Sequence, residues 1–153
     1  MSQQKRCKTT FKKSALSENV ANIFYKFFVT KIKWDEGIRS KNGFTRLAKM
    51  LPVGVFPELD NLCYNVLNNM GLNYTILGIY LNYYKDGEMY TPNHSHKGTK
   101  QLVISLGAMR ELTVGKKTFE MENGDAIVFG SSIHGVPKSK TKEGRISIAT
   151  FMI

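Results

Sequence analysis

"YTILGIYLNYYKDGEMYTPNHSH" spans Tyr74–His96, and its rhythm decides the class of fold. Apolar and aromatic residues come in short β-rich runs, broken at "KDG" by a turn signal. The same texture continues to the last residue. "QLVISLG", "RELTVG", "KTFEM", "DAIVFG" and "RISIATFMI" follow, separated by "GKK", "ENGD" and "TKEG". Short, evenly spaced strands of this kind predict an antiparallel double-sheet jelly roll.

Upstream the period is helical. "SENVANIFYKFFVTKIKW" (Ser17–Trp34) opens on a capping serine, and Val20, Ile23, Phe24, Phe27 and Phe28 recur at helical spacing. "DEGIRSKNG" reads as a loop. "FPELDNLCYNVLNNMG" (Phe56–Gly71) is a second helix. Pro57 suits its first turn, Glu58 and Asp60 suit the positive end of its dipole, and Gly71 suits the position just past its end. Leu59, Leu62, Cys63, Val66, Leu67 and Met70 form its buried stripe, so Cys63 reads as a packed small hydrophobe. The class is therefore α+β: a double-stranded β-helix (jelly roll) with N-terminal helices packed on one sheet.

At 153 residues and 42% hydrophobic content, one domain with a real core is expected. Residues 1–16 read as a flexible basic arm and 17–153 as the domain. The start has charge but no apolar segment of a secretory signal, and no run is long enough to cross a membrane. Two cysteines, Cys7 and Cys63, make no disulfide framework, so a reducing cytoplasmic or nuclear location and a monomer are expected. The net charge is +10, with clusters at Lys5, Arg6, Lys8, Lys12 and Lys13 and at Lys138, Lys140 and Lys142. Such a surface suits a polyanion such as DNA or RNA, and equally serves solubility.

The chain's three histidines all lie in its β half. His94 and His96, two apart on a strand, project to one face. His134 follows the strand "DAIVFG". Neutral imidazoles suit iron, zinc, copper or nickel. Arg145 and Ser147 share a strand face, as do Asn82 and Tyr84. No nucleophile elbow, P-loop or dinucleotide-binding glycine pattern is present.

In order, "NYYKDGEMYTPNHSH", "VISLGAMRELTV", "NGDAIVFGSSIHGVP" and "RISIATF" resemble the AlkB-like branch of the Fe(II)/2-oxoglutarate dioxygenases. "TRL" (Thr45–Leu47) resembles a "PRL" segment of that branch, and the likeness runs from about Asn19 to Ile153. It implies Fe(II), 2-oxoglutarate and O2 as cofactor and cosubstrates, with hydroxylation or demethylation of a substrate that includes nucleic acid among its candidates. His94 and His134 fall at the family's metal ligands. Arg145 falls at the arginine that pairs the far carboxylate of 2-oxoglutarate, with Ser147 beside it, and Asn82 and Tyr84 at its hydrogen-bonding partners. Gly107, Arg110, Gly124 and Asp125 match architectural positions, with Arg110 expected in a salt bridge.

The sequence departs from that pattern in three places. His96 stands where the family has aspartate, giving a three-histidine set in place of two histidines and a carboxylate. Phe151 stands where repair enzymes carry a second arginine. The helical part is short, leaving Arg39–Leu51 and Lys85–Pro92 as a modest lid. Two alternatives stay open. One is a cupin-like three-histidine enzyme acting on a small molecule without 2-oxoglutarate, with Gln101 near a cupin's carboxylate position. The other is a non-catalytic metal-holding domain that binds nucleic acid.

Overall fold

The computed structural model describes residues 7–40 and 43–153. The elements in chain order are β1 (Thr10–Lys12), α1 (Glu18–Lys31), β2 (Asp35–Ser40), β3 (Gly43–Leu51), α2 (Pro57–Asn69), β4 (Ile76–Tyr84), β5 (Thr91–His94), β6 (Lys100–Gly107), β7 (Arg110–Val114), β8 (Lys117–Met121), β9 (Ala126–Phe129), β10 (His134–Val136) and β11 (Arg145–Met152). They build two antiparallel sheets, as the jelly-roll rhythm predicts. One has seven strands in the order β1-β9-β6-β11-β4-β3-β2, and the other four in the order β5-β10-β7-β8.

Alternation along the central strands divides the core in two. Ile79, Leu81, Ile104, Leu106, Ile146 and Ile148 face the helices and pack with Phe28, Leu59, Cys63, Val66 and Leu67. The opposite face of the large sheet meets the small one: Val103, Ile127 and Phe129 pack with Leu112, Val114, Met121 and Val136. That inter-sheet layer is where the cavity lies.

α1 starts and α2 ends where the sequence indicates, while α1 stops at Lys31, three residues short of Trp34, where Ile32 turns extended. Ser17 caps α1, its Oγ accepting from the Val20 N–H at 3.2 Å. Past α2, Leu72 N–H donates to Leu67 O at 3.0 Å and Gly71 takes φ +72°, the left-handed turn that glycine adopts without strain. The α2 stripe packs as expected, with Leu62 and Met70 partly buried at its margins. The α1 stripe is shifted by about one position. Ala21 and Phe28 are buried and Phe24 packs beside them, whereas Val20, Ile23 and Phe27 face outward. Ala21, Phe24 and Phe28 keep helical spacing, and the small Ala21 brings the helix close to the sheet. Phe27 instead stacks on Phe56 at 5.5 Å.

Three expectations are corrected. "DEGIRSKNG" is not simply a loop: Asp35–Ser40 forms β2, which pairs with β3 and extends the large sheet (residues 41 and 42 lie outside the described residues). The supposed lid segment Arg39–Leu51 is accordingly sheet edge, held by β3–β4 pairing from Leu47↔Tyr83 to Leu51↔Ile79. Pairing of β2 with β3, which itself docks on β4, overrides a local composition that signals a turn. Lys85–Pro92 is also tied down: Gly87 N–H donates to Thr141 O at 2.8 Å, and Ser139 N–H donates to Gly87 O at 2.9 Å.

Finally, the expected flexible arm includes β1, whose Thr10–Lys12 pairs with Val128–Ala126 of β9. Phe11 stacks on Phe119 at 5.8 Å, and Lys13 ion-pairs with Glu122 and Asp125. An unpaired β9 edge and two acids recruit the segment. Residues 1–6 lie outside the described residues.

Gly107, where β6 ends, takes φ +87°. A Cβ there would come to 2.7 Å from Gly144 O and 2.9 Å from the Tyr25 ring. Gly107→Ala is therefore expected to destabilise the fold by about 2–3 kcal/mol, combining backbone strain with a clash. A denaturant midpoint indistinguishable from that of the parent would show that the turn relaxes freely.

Candidate functional site

His94 ends β5 and His134 opens β10, and the two are ladder partners. Their ring centroids lie 4.3 Å apart. His96 falls just past the end of β5, so the shared strand face predicted for His94 and His96 does not strictly apply. The chain nonetheless returns the His96 ring to 4.7 Å from His94 and 5.6 Å from His134. One nitrogen from each of the three lies within 4.8 Å of the others. That spread is wider than the ~3–4 Å that follows from metal–nitrogen bonds of roughly 2.0–2.2 Å.

The tautomers favour ligation. His94 Nδ1 sits 2.8 Å from Pro92 O and His134 Nδ1 sits 3.0 Å from Ser132 O. Only a protonated Nδ1 donates to a carbonyl, so Nε2 of each ring keeps its lone pair. Burial pushes the His134 imidazole down to about 4, with His94 and His96 adding to the effect against the opposing Ser132 carbonyl. Burial, then His94, lowers His96 as well. Three converging ring nitrogens, one from each imidazole, fit a divalent transition metal.

A cavity of about 520 Å³ opens beside the triad. Its floor is the inner face of β3, β4, β11 and β6, where ladder partners present side chains to one side. Arg145, Ser147, Asn82 and Tyr84 all line it. Arg145 is 1% exposed, its Nε donating to Ser105 Oγ at 2.7 Å and its guanidinium carbon 5.4 Å from the centre of the Tyr84 ring. Both Nη atoms are buried without a hydrogen-bond partner. Burial lowers the Arg145 guanidinium to about 10, opposed by Tyr84 and reinforced by nearby Arg110, so it remains charged at neutral pH. A buried cation with two unspent nitrogens, on a residue that lines the cavity, is a strong demand for an anion.

The other predicted residues support this floor. Tyr84 Oη and Thr91 Oγ1 share a 2.6 Å hydrogen bond, and Asn82 Nδ2 donates to Ser147 Oγ at 3.4 Å. Arg110 does not form the expected salt bridge. Its Nη atoms donate to the backbone oxygens of Asp86, Met89 and Pro137 at 3.2, 2.7 and 2.9 Å. Three converging carbonyls engage its two Nη atoms without an acid, leaving Nε without a partner, and so fix the Lys85–Pro92 turn.

Two cavity residues carry roles that the sequence does not reveal. Arg46 belongs to the quoted "TRL", yet its place in the cavity follows from β3, a strand the sequence does not announce. Gln101 is 3% exposed, lines the cavity, and its amide nitrogen has no partner. Its neighbour across the ladder, Phe151, packs at 4.9 Å against His96.

No protein-family model and no curated protein matches the sequence. Solved structures do match in fold. A prolyl-4-hydroxylase of Pseudomonas putida superposes with TM-score 0.65 at 13% identity, over 94% of this chain and 91% of that one. A viral collagen prolyl hydroxylase from Paramecium bursaria Chlorella virus-1, in complex with 2-oxoglutarate, gives 0.67 at 14%, over 94% of each chain. A 2OG-Fe(II) oxygenase family oxidoreductase from Burkholderia pseudomallei gives 0.68 at 15%, over 94% of this chain and 84% of that one. The chain thus has the double-stranded β-helix fold seen in 2-oxoglutarate oxygenases. The likeness is one of fold and does not single out the AlkB branch.

Proposed function

We propose that this protein is an Fe(II)- and 2-oxoglutarate-dependent oxygenase of the AlkB-like type. The observation that carries the reading is Arg145, a buried guanidinium with two unpartnered nitrogens in the same cavity as three converging histidines. His94, His96 and His134 would hold the metal. Arg145, with Ser147, Tyr84 and Asn82 around it, would hold the cosubstrate's far carboxylate. Iron and 2-oxoglutarate bound there supply the means for O2 to oxidise a substrate C–H bond.

The chain's own residues account for the rest. Arg145 fixes the cosubstrate by a paired, charge-assisted contact in a medium of low polarity. Tyr84 and Thr91 brace that arginine's surroundings, and Val103, Leu112, Val136 and Ala149 line the cavity with apolar surface that sheds water. The cupin-like alternative uses the same histidines but leaves Arg145 with nothing to bind.

The test is succinate release from 2-oxoglutarate with Fe(II) and O2, with and without candidate substrates. Metal-dependent succinate formation that disappears in Arg145→Gln is expected. Full metal binding without any affinity for 2-oxoglutarate would move the reading to a cupin-like enzyme.

A nucleic-acid substrate is the finer reading, and it draws on surface charge. Of the eight cations in the two clusters, Lys13 pairs with Glu122 and Asp125, and Lys138 lies 3.8 Å from Glu88. Six cations remain, Lys5 and Arg6 among them outside the described residues. If all six reach phosphates, the slope of log K against log salt on duplex DNA is about −5. Oligonucleotide titrations at two salt concentrations measure it; absence of binding near physiological salt removes nucleic acid from the candidates.

A further inference from the structure

We propose that the substrate of this site carries an anionic group, a carboxylate or phosphate, bound by Arg46 beside an aromatic shelf. The inference rests on the oxygenase reading above and names the substrate's chemical class.

Among the described residues, the cavity lining holds two guanidiniums, Arg46 and Arg145, and no aspartate or glutamate. A dicarboxylate cosubstrate answers one of them. Arg145 sits on β11 with both Nη atoms buried and unspent, the arrangement that a carboxylate engages as a pair. Arg46 stands on β3, with β4 between it and β11. Its Nε donates to Asn82 Oδ1 at 3.0 Å and its Nη1 to Thr45 Oγ1 at 3.1 Å. Both acceptors are neutral. Among the described residues Nη2 has no acceptor, and no carboxylate pairs with the guanidinium. These two bonds hold the planar group in place and, among the described residues, leave its charge uncompensated. That is preorganisation for an incoming anion.

The shelf lies along the same face. Ala48↔Asn82 and Met50↔Tyr80 are ladder partners, so Arg46, Met50, Asn82 and Tyr80 project to one side. Tyr80 meets Phe151 edge to face at 5.3 Å, and Phe151 meets His96 at 4.9 Å. Met50 is 52% and Tyr80 37% exposed. An apolar and aromatic surface therefore runs from the histidine triad toward Arg46 on the open side of the cavity. A planar group lying on it reaches the triad at one end and presents its anion to Arg46 at the other. A cationic substrate is disfavoured, because nothing acidic among the described residues lines the cavity.

The experiment uses the metal-loaded protein under anaerobic conditions with saturating 2-oxoglutarate, and titrates matched pairs by calorimetry. The pairs are phenylacetate against phenylacetamide, and adenosine 5′-monophosphate against adenosine. In at least one pair the anion is expected to bind about tenfold or more tighter than its neutral partner, the scale of one hydrogen bond to a charged group. Arg46→Gln should remove that preference and leave the neutral partner's affinity unchanged, while Arg46→Lys keeps most of it. The pair that responds tells carboxylate from phosphate. Equal binding within both pairs, no binding of either anion, or a preference that survives Arg46→Gln overturns the proposal. So does a loss of 2-oxoglutarate affinity in Arg46→Gln, which would make Arg46 a cosubstrate residue. A separate titration of 2-oxoglutarate into the unmodified protein tests the oxygenase reading on its own.

Discussion

Arg145→Gln is expected to weaken 2-oxoglutarate binding by about 100-fold or more while leaving metal affinity within a few-fold of its original value. Two unspent Nη atoms are available to one carboxylate, and a hydrogen bond to a charged group is worth ~1.5–3 kcal/mol. Two such bonds in a buried setting account for the loss. Metal affinity is spared because the ligands belong to the other sheet: His94 ends β5, His134 opens β10, and Arg145 opens β11. The substitution should not unfold the chain. Among the described residues, Arg145 is a buried charge met by Ser105 Oγ and the Tyr84 ring and by no acid, so removing it relieves desolvation and stability holds or rises. Calorimetric titration of 2-oxoglutarate into metal-loaded protein reads the first effect, and thermal unfolding the second. A variant that keeps the parent's 2-oxoglutarate affinity and melts earlier would make Arg145 a structural residue and leave the cavity without its anion anchor.

The parts of this molecule that the sequence reveals are those encoded by local period and by side-chain chemistry. The strands β6, β9 and β11 are buried on both faces and β7 alternates buried with exposed residues, so their pattern is strong. α2 carries a capped, amphipathic stripe. The histidines and Arg145 are legible because few residue types do what they do, and their order along the chain resembles a known arrangement. What escapes is held by long-range pairing. β2 contains Gly37, Arg39 and Ser40, and pairs with β3, which in turn docks on β4. β1 comes from a lysine-rich segment and exists because β9 offers it an edge. Arg46 belongs with this group: its place in the cavity depends on the ladder of β3 with β4, which no window of sequence around it declares. Arg110 escapes for another reason. Its partners are three carbonyl oxygens, and backbone acceptors have no sequence signature.

His134→Ala should reduce affinity for a divalent transition metal by about 100-fold or more. Even lost partners of ligating histidines typically cost 10–100-fold, and here a donor itself is removed from a set of three. His134 is the most enclosed of the three at 6% exposure, packed at 4.8 Å against Phe129. Its loss therefore leaves an apolar gap rather than a site that another side chain can fill. The readout is competition with a chelator, supported by unfolding. A metal that binds only the folded chain stabilises it by ~2.7 kcal/mol at a hundred times its dissociation constant, and this increment should vanish in His134→Ala. His96→Asp sharpens the test. It replaces a neutral nitrogen donor by a carboxylate at the position where this chain departs from the two-histidine, one-carboxylate pattern. Metal binding should persist, and Mn(II) should gain relative to Zn(II), because a carboxylate suits the harder ion. If His96→Asp instead leaves that ratio unchanged while His134→Ala loses the metal, His96 stands beside the site without ligating. The working set would then be His94 and His134 with solvent or cosubstrate completing it.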